Sequence, residues 1–193
     1  MNLFATSGFN GKYMRPNSSL PIAGTVASTA FNRVLTEVKV AADSTTLFQG
    51  MSVEISNKLD ASASINGGSN LAPNVLSAKA STSKANAFVV DNANAVVLNG
   101  DDFPQVVANQ IIRVAMIGSG AEIYLPCDAT VIGATNTIYW DITKQSLVAA
   151  ATKPANGVEF TGTILSQVVD GIKGKNDSGT ITSESCSVVK VKL

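Results

Sequence analysis

The stretch 109–148, NQIIRVAMIGSGAEIYLPCDATVIGATNTIYWDITKQSLV, decides the fold of this chain. Within it, apolar and polar residues alternate in short runs that glycine, asparagine and proline interrupt, which is typical of half-buried strands. Residues 106–117 fit either one face of a helix or a strand. Their β-branched side chains and the glycines that follow favour a strand over 111–117. A further strand is predicted at 122–125.

The same stretch ends in an aromatic hairpin. Residues 138–142 alternate in polarity, and 147–150 are predicted to form the returning strand. Trp140 is expected to fill the interior of a barrel, and Tyr139 to face outward. A sugar-stacking platform is the alternative interpretation of these two rings.

Short strands are also predicted outside this stretch, each bounded by turn-forming residues. In the last of them, Val189, Val191 and Leu193 are expected to face the core. Residues 57–74 are polar, include a Gly-Gly pair, and are predicted to be a loop insertion. So many short strands separated by turns predict an all-β fold, a small barrel or a sandwich. The predicted strands cover residues 32–40, 51–56, 75–80, 88–90, 95–98, 160–169 and 187–193.

The first thirty residues differ from the rest because they show neither helix nor strand periodicity. They nevertheless contain aromatic residues, which are usually scarce in disordered tails. We therefore divide the chain into an extended N-terminal arm at 1–30 and a β-barrel domain at 31–193. The arm is expected to lie against a partner or against its own body. The side chains predicted to make these contacts are Phe4, Phe9, Tyr13, Arg15 and Leu20.

Charge restricts the classes of partner. Charged residues make up only 15% of the chain and sum to zero, against about 25% in ordinary globular proteins. A surface with so little charge tends to associate, which indicates that partners cover much of it. Residues 1–33 hold three basic and no acidic residues. Three are too few for nucleic-acid binding, which typically neutralises ~6–10 phosphates. No segment reaches the roughly 18 apolar residues of a membrane-spanning helix.

Few residues here could carry out catalysis. Histidine is absent, which excludes histidine-based triads and histidine-ligated zinc. Asp101 and Asp102 form an adjacent acidic pair beside Asn99-Gly100 and are expected to belong to a solvated turn. A loose calcium site with Asp91 is the alternative, and a glycosidase-like carboxylate pair is another. We expect no enzymatic activity, no metal and no cofactor.

The cysteine content is low. Cys127 and Cys186 are the only two, they lie far apart in the sequence, and they lack the spacing of a metal site. Two free, mostly buried thiols are expected, and a single disulfide is the alternative.

The order of five sequence blocks resembles one protein family. These blocks are similar to the small β-barrel (β-tulip) head decoration, or cement, proteins of tailed bacteriophages. The family's characteristic strands and aromatic hairpin correspond here to 112–117, 138–141, 162–165 and 189–193. The blocks are QGMSVEIS at 49–56, VLSAKASTSKANAFVVDN at 75–92, the whole of 109–148, FTGTILSQVV at 160–169 and SVVKVKL at 187–193.

The resemblance implies a non-enzymatic structural protein on the outer surface of a virion, made in the host cytoplasm. Such proteins bind the major capsid protein, bridge neighbouring copies of it, and often use an N-terminal arm. A homo-oligomer is expected, either a trimer or a dimer, and neither nucleic acid nor a membrane is an expected partner. A phage fibre or tail-tip barrel is a related role. The alternative is a secreted bacterial β-sandwich that serves as an adhesin or glycan-binding module.

Overall fold

A computed structural model describes residues 21–27, 35–64, 74–90 and 103–193. Their regular structure is almost entirely β, which confirms the predicted all-β class, and a 3-10 turn covers Ala129–Val131. The strands are β1 (Leu35–Val40), β2 (Leu47–Phe48), β3 (Ser52–Ser64), β4 (Asn74–Ala80), β5 (Ala87–Val89), β6 (Gln105–Val106), β7 (Ile111–Met116), β8 (Glu122–Cys127), β9 (Thr137–Asp141), β10 (Ser146–Ala150), β11 (Gly157–Glu159), β12 (Thr163–Ile164), β13 (Val169–Asp177) and β14 (Thr180–Lys192).

Five strands close into a barrel, as predicted, and their order around it is β1-β4-β3-β5-β7. β1 pairs with β4 in parallel, and every other neighbouring pair is antiparallel. Closure removes the exposed strand edges at which open sheets associate. Alternate positions on these strands supply an aliphatic core cluster that includes Val38, Val40, Val53, Ile55, Ala78, Ala87, Val89, Ile112 and Val114.

The prediction of a polar loop at 57–74 is wrong for the first part of that range. β3 continues to Ser64 and β4 begins at Asn74, so the two strands form a long antiparallel hairpin with two irregularities in its register. The main-chain hydrogen bonds of such a hairpin form whatever the side chains are, so a polar sequence can be a strand without showing apolar alternation. Residues 65–73 lie outside the described part of the chain.

The second layer is a seven-stranded sheet in the order β11-β9-β10-β8-β14-β12, with β13 also paired to β14. The predicted aromatic hairpin is β9–β10, in which Trp140 stands opposite Leu147. Val189, Val191 and Leu193 are buried, as predicted. β14 begins well before the predicted strand because its first half pairs with the polar strand β13.

The prediction of a single strand over 160–169 is also wrong. β12 and β13 both lie against the same edge of β14, but four residues, 165–168, separate them. On β14, only Val189 and Lys190 separate the corresponding partners, so the chain must bulge. The bulge follows Leu165, whose N–H still donates to the Lys190 carbonyl (2.8 Å). The Leu165 side chain is 41% exposed because it alternates with Ile164, which packs against the core.

The barrel and the sheet share a core. Phe88, on the outer face of β5, packs edge-on against Trp140 of β9 with ring centroids 4.8 Å apart. Trp140 is 1% exposed, which confirms its predicted burial. The prediction that Trp140 fills the inside of the barrel is wrong, because this side chain belongs to the cluster between the two layers. The neighbours of interior residues on a barrel strand point outward, so β5 presents Phe88 to the sheet.

Residues 21–27, here called the tie segment, run along the sheet. The Ala23 N–H donates to the Ile172 carbonyl of β13 (2.8 Å), and the Gly24 N–H donates to the Tyr124 carbonyl of β8 (2.7 Å). The segment therefore bridges two strands that do not pair with each other. The part of the predicted arm that the structure describes, residues 21–27, is thus bonded to the body, one of the two positions expected for the arm.

The other side of the tie segment touches the barrel through its backbone. Gly24 has a φ of +78°, and Gly50, in the turn between β2 and β3, has a φ of +83°. A Cβ atom at Gly24 would lie 2.6 Å from the Val89 carbonyl oxygen and 2.8 Å from Gly50 Cα. Backbone atoms cannot move aside as side-chain ends can, so only glycine fits here.

This contact predicts that one added methyl group lowers the free energy of unfolding more at Gly24 than at a glycine with open space around it. Gly24→Ala combines an unfavourable positive φ with overpacking, and should lower the free energy of unfolding by about 3 kcal/mol. Gly118→Ala is the matched control, because Gly118 has a φ of +87° but its Cβ would meet nothing within 4 Å. It should cost about 1 kcal/mol. Equal losses for the two variants in urea denaturation would contradict the close approach.

Candidate functional site

The structure describes the residue that directly follows the segment of the predicted contact residues. Pro21 is the first described residue, and its carbonyl accepts a hydrogen bond from the Ile172 N–H (3.1 Å). The tie segment runs parallel to β13 at this point. The predicted contact residues themselves lie outside the described part of the chain: Phe4, Phe9, Tyr13, Arg15 and Leu20.

The surface of the sheet also carries an open groove of mixed polarity. It has a volume of about 680 Å³ and is formed by the turn at 131–134, Ile138 and the segment 162–167. We call it the Leu165 groove. Ile132 (38%) and Leu165 (41%) are exposed within it. None of its lining residues carries a charge, and Thr163, Ser166 and Gln167 give it polar surface beside the apolar side chains.

A second cleft, of about 530 Å³ and lined by both apolar and charged side chains, lies where the β13–β14 hairpin approaches the barrel. The Lys173 ammonium contacts the Lys144 carbonyl (2.9 Å) and the Glu184 carboxylate (3.7 Å). The Gln145 side-chain oxygen accepts a hydrogen bond from the Ser52 N–H of β3 (2.9 Å). The Lys173 contacts lie within the sheet, whereas the Gln145–Ser52 contact connects the sheet to the barrel, so we interpret the cleft as a joint between the layers.

Two carboxylates near this cleft cap turns. Asp141 accepts hydrogen bonds from the Thr143 and Lys144 N–H groups at 2.9 and 3.0 Å, and Asp128 accepts one from the Thr130 N–H at 3.3 Å. Such bonds fix local backbone geometry. Within residues 21–27, 35–64, 74–90 and 103–193, no group of three His, Cys, Asp or Glu side chains is placed to hold a metal ion. The same residues contain no helix long and apolar enough to span a membrane.

The acidic turn at Asp101 and Asp102, its possible partner Asp91, and the strand predicted at 95–98 lie outside the described residues. The interpretation of that turn as solvated stays a prediction, and so does its calcium alternative.

Both cysteines are free, as expected. Cys127 stands directly opposite Ser187 on β14, so Cys186 presents its side chain to the other face of the sheet. Burial raises the pKa of the Cys127 thiol to about 12, with smaller contributions from Cys186 and Asp128. Burial also raises the pKa of Cys186 to about 11, against the opposing effect of Lys173. Both groups are therefore neutral, unreactive thiols at physiological pH.

Comparison with known proteins adds no relative. No family model, no curated protein and no solved structure matches this chain. Its function must therefore be argued from its own residues.

Sequence reasoning missed the Leu165 groove. Its exposed side chains follow the 3-10 turn and the two-residue strand β12, which are too short to show a periodicity in the sequence. One available signal was the pair of apolar runs, VIGA at 131–134 and ILSQVV at 164–169, which flank short strands and contain more apolar residues than a turn requires.

The raised cysteine pKa values predict slow thiol chemistry in the native protein. At pH 8, a pKa of about 11 rather than the ordinary 9.0 lowers the thiolate fraction of Cys186 roughly 100-fold. Cys186 is half-buried and Cys127 buried, so Cys186 should react first with a chromogenic disulfide reagent, and both should react rapidly in urea. Cys186→Ser should remove the faster native phase. If the two cysteines react as fast in the native protein as in urea, the prediction that burial suppresses their reactivity is wrong.

Proposed function

We propose that this chain is a non-enzymatic structural protein of a tailed bacteriophage. It binds the outer surface of the capsid and stabilises it by bridging copies of the major capsid protein. It acts as a homo-oligomer on the virion after synthesis in the host cytoplasm. The observation that carries the proposal is the arrangement at the N-terminus, where the tie segment connects a rigid two-layered body to a segment rich in interface-forming side chains.

The body supports this role because its parts are firmly held. The barrel is closed, the sheet packs against it through Phe88 and Trp140, and the tie segment connects to both layers. A segment attached to such a body starts from a defined point and in a defined direction. Less freedom is then lost when it binds, which favours affinity.

The composition of the first twenty residues supports adhesion. Phe4, Phe9 and Tyr13 fall within ten residues, with Arg15 and Leu20 close behind. Aromatic residues and arginine are the side chains that contribute most to protein interfaces. Several copies of the chain, each contributing one arm and one body, would add weak contacts into a strong attachment. Attachment across neighbouring capsid subunits would oppose their separation.

The proposal predicts that the arm's apolar side chains control attachment. A triple variant with Phe4→Ala, Phe9→Ala and Tyr13→Ala should bind at least about tenfold more weakly to capsids assembled without this chain. The control is Asn2→Ala, Thr6→Ala and Asn10→Ala, which alters polar positions of the same segment and should bind normally. Binding is measured by co-sedimentation with the capsids.

Stability is monitored in parallel to separate adhesion from folding. Because the tie segment begins at Pro21, a deletion of residues 1–20 should leave the cooperative unfolding of the body intact while weakening binding. Full binding by the aromatic triple variant would contradict a role for the arm. Absence of the chain from purified virions, together with its presence on bacterial cells and binding to glycans, would favour the adhesin alternative.

A further inference from the structure

The turn at 154–157 contains a pair of residues with intrinsic chemical reactivity. Asn156 precedes Gly157, and of the four Asn-Gly pairs in the sequence it is the one that the structure describes. In such a pair the glycine main-chain nitrogen can attack the asparagine side-chain carbonyl, because glycine has no side chain that restricts the approach. The bond that forms expels ammonia and leaves a cyclic succinimide. Water then opens the ring at either carbonyl, which gives aspartate or isoaspartate.

The fold requires glycine at the second position of this pair. A Cβ atom at Gly157 would lie 2.8 Å from Cδ and 3.2 Å from the carbonyl oxygen of Pro154. The proline ring is rigid, and its carbonyl already accepts a hydrogen bond from the Gly157 N–H (2.9 Å), so neither can easily move aside. A bulkier residue after Asn156, which would slow the attack, therefore does not fit this turn.

Hydrogen bonds hold the groups that must move during the reaction. The attacking nitrogen of Gly157 donates its hydrogen to the Pro154 carbonyl. The Asn156 side-chain nitrogen, which would leave as ammonia, donates to Thr143 Oγ1 (2.8 Å). The Asn156 main-chain carbonyl accepts from the Ile142 N–H (3.1 Å). Attack requires the side chain and the Gly157 nitrogen to rotate toward each other, and these bonds oppose that rotation.

The reaction would also alter the strand that follows the turn. Isoaspartate carries the main chain through its side chain, so one methylene group is added to the backbone before Gly157, and the carbonyl bonded to Ile142 becomes a free carboxylate. Beyond this point β11 pairs with β9, where the Phe160 N–H donates to the Ile138 carbonyl (3.0 Å). A longer backbone disrupts such a ladder. β11 ends the strand order of the sheet, so no second strand of the described residues holds it in place.

We propose that Asn156 is a latent deamidation site that the native turn holds closed, and that its conversion to isoaspartate releases β11 from β9. The reaction proceeds through the molecules in which the turn has opened locally, so its rate follows the population of that open state. Water is the co-reactant and ammonia the product, so no catalyst is needed. This inference holds whether or not the chain belongs to a virion.

Comparison of the native and the unfolded protein tests the closed state. Trypsin does not cleave between Lys153 and Pro154, so it releases peptide 145–173, whose single asparagine is Asn156. The full-length protein is incubated in mildly alkaline buffer with and without guanidinium chloride, and mass spectrometry follows the replacement of ammonia by water. Deamidation should be at least about tenfold slower in the native protein, because it requires local opening. Equal rates would overturn the proposal.

Thr143→Val tests the hydrogen bond to the leaving group. Valine has nearly the shape of threonine but cannot accept a hydrogen bond, so native deamidation of Asn156 should accelerate roughly fivefold. Thr135→Val, the same change at an exposed position before β9, is the matched control and should deamidate at the native rate. An unchanged rate in Thr143→Val would show that this bond does not hold the site closed. Thermal melting confirms that both variants are folded.

Hydrogen exchange tests the release of β11. The isoaspartate form is isolated by chromatography, and amide exchange over residues 157–160 is compared with that of the unreacted protein. Exchange should be faster in the isoaspartate form. Asn156→Asp is the control, because it adds the same charge without lengthening the backbone, and it should keep the native protection. Native protection of residues 157–160 in the isoaspartate form would contradict the release of this strand.

Discussion

The contact between the backbones of Gly24 and Gly50 is the constraint on which the rest of the structure depends. It allows the tie segment to pass between the barrel and the sheet while its N–H groups bond to strands of the sheet. Without this close approach, the two layers would be joined mainly by the Phe88–Trp140 cluster and the polar contacts around Gln145. The segment also determines where the preceding chain leaves the body. One backbone contact therefore links stability to the position of the arm.

The strands with apolar alternation could be predicted from the sequence, and those without it could not. β7, β9 and β10 were recognisable because one face of each is buried, and so was the C-terminal half of β14. The polar half of β3 is paired through its main chain, and β13 and the first half of β14 add isolated buried residues, Ile172 and Ile181, to that pairing, so little alternation marks these strands in the sequence. The close backbone contact joins Gly24 and Gly50, which are 26 positions apart, so it could not be predicted from the local sequence around either residue. The Leu165 groove is formed by two segments that lie far apart in the sequence, 131–138 and 162–167, so it also becomes visible only in three dimensions.

Cryo-electron microscopy of the assembled virion tests the central claim most directly, since it locates both the body and the arm. The account predicts density for the barrel and the seven-stranded sheet on the outer capsid surface, with residues 1–20 in contact with the major capsid protein. The arm should leave the body at Pro21 and cross toward a neighbouring capsid subunit. Virions without this density, or with the body attached while the arm contacts no capsid subunit, would contradict the account.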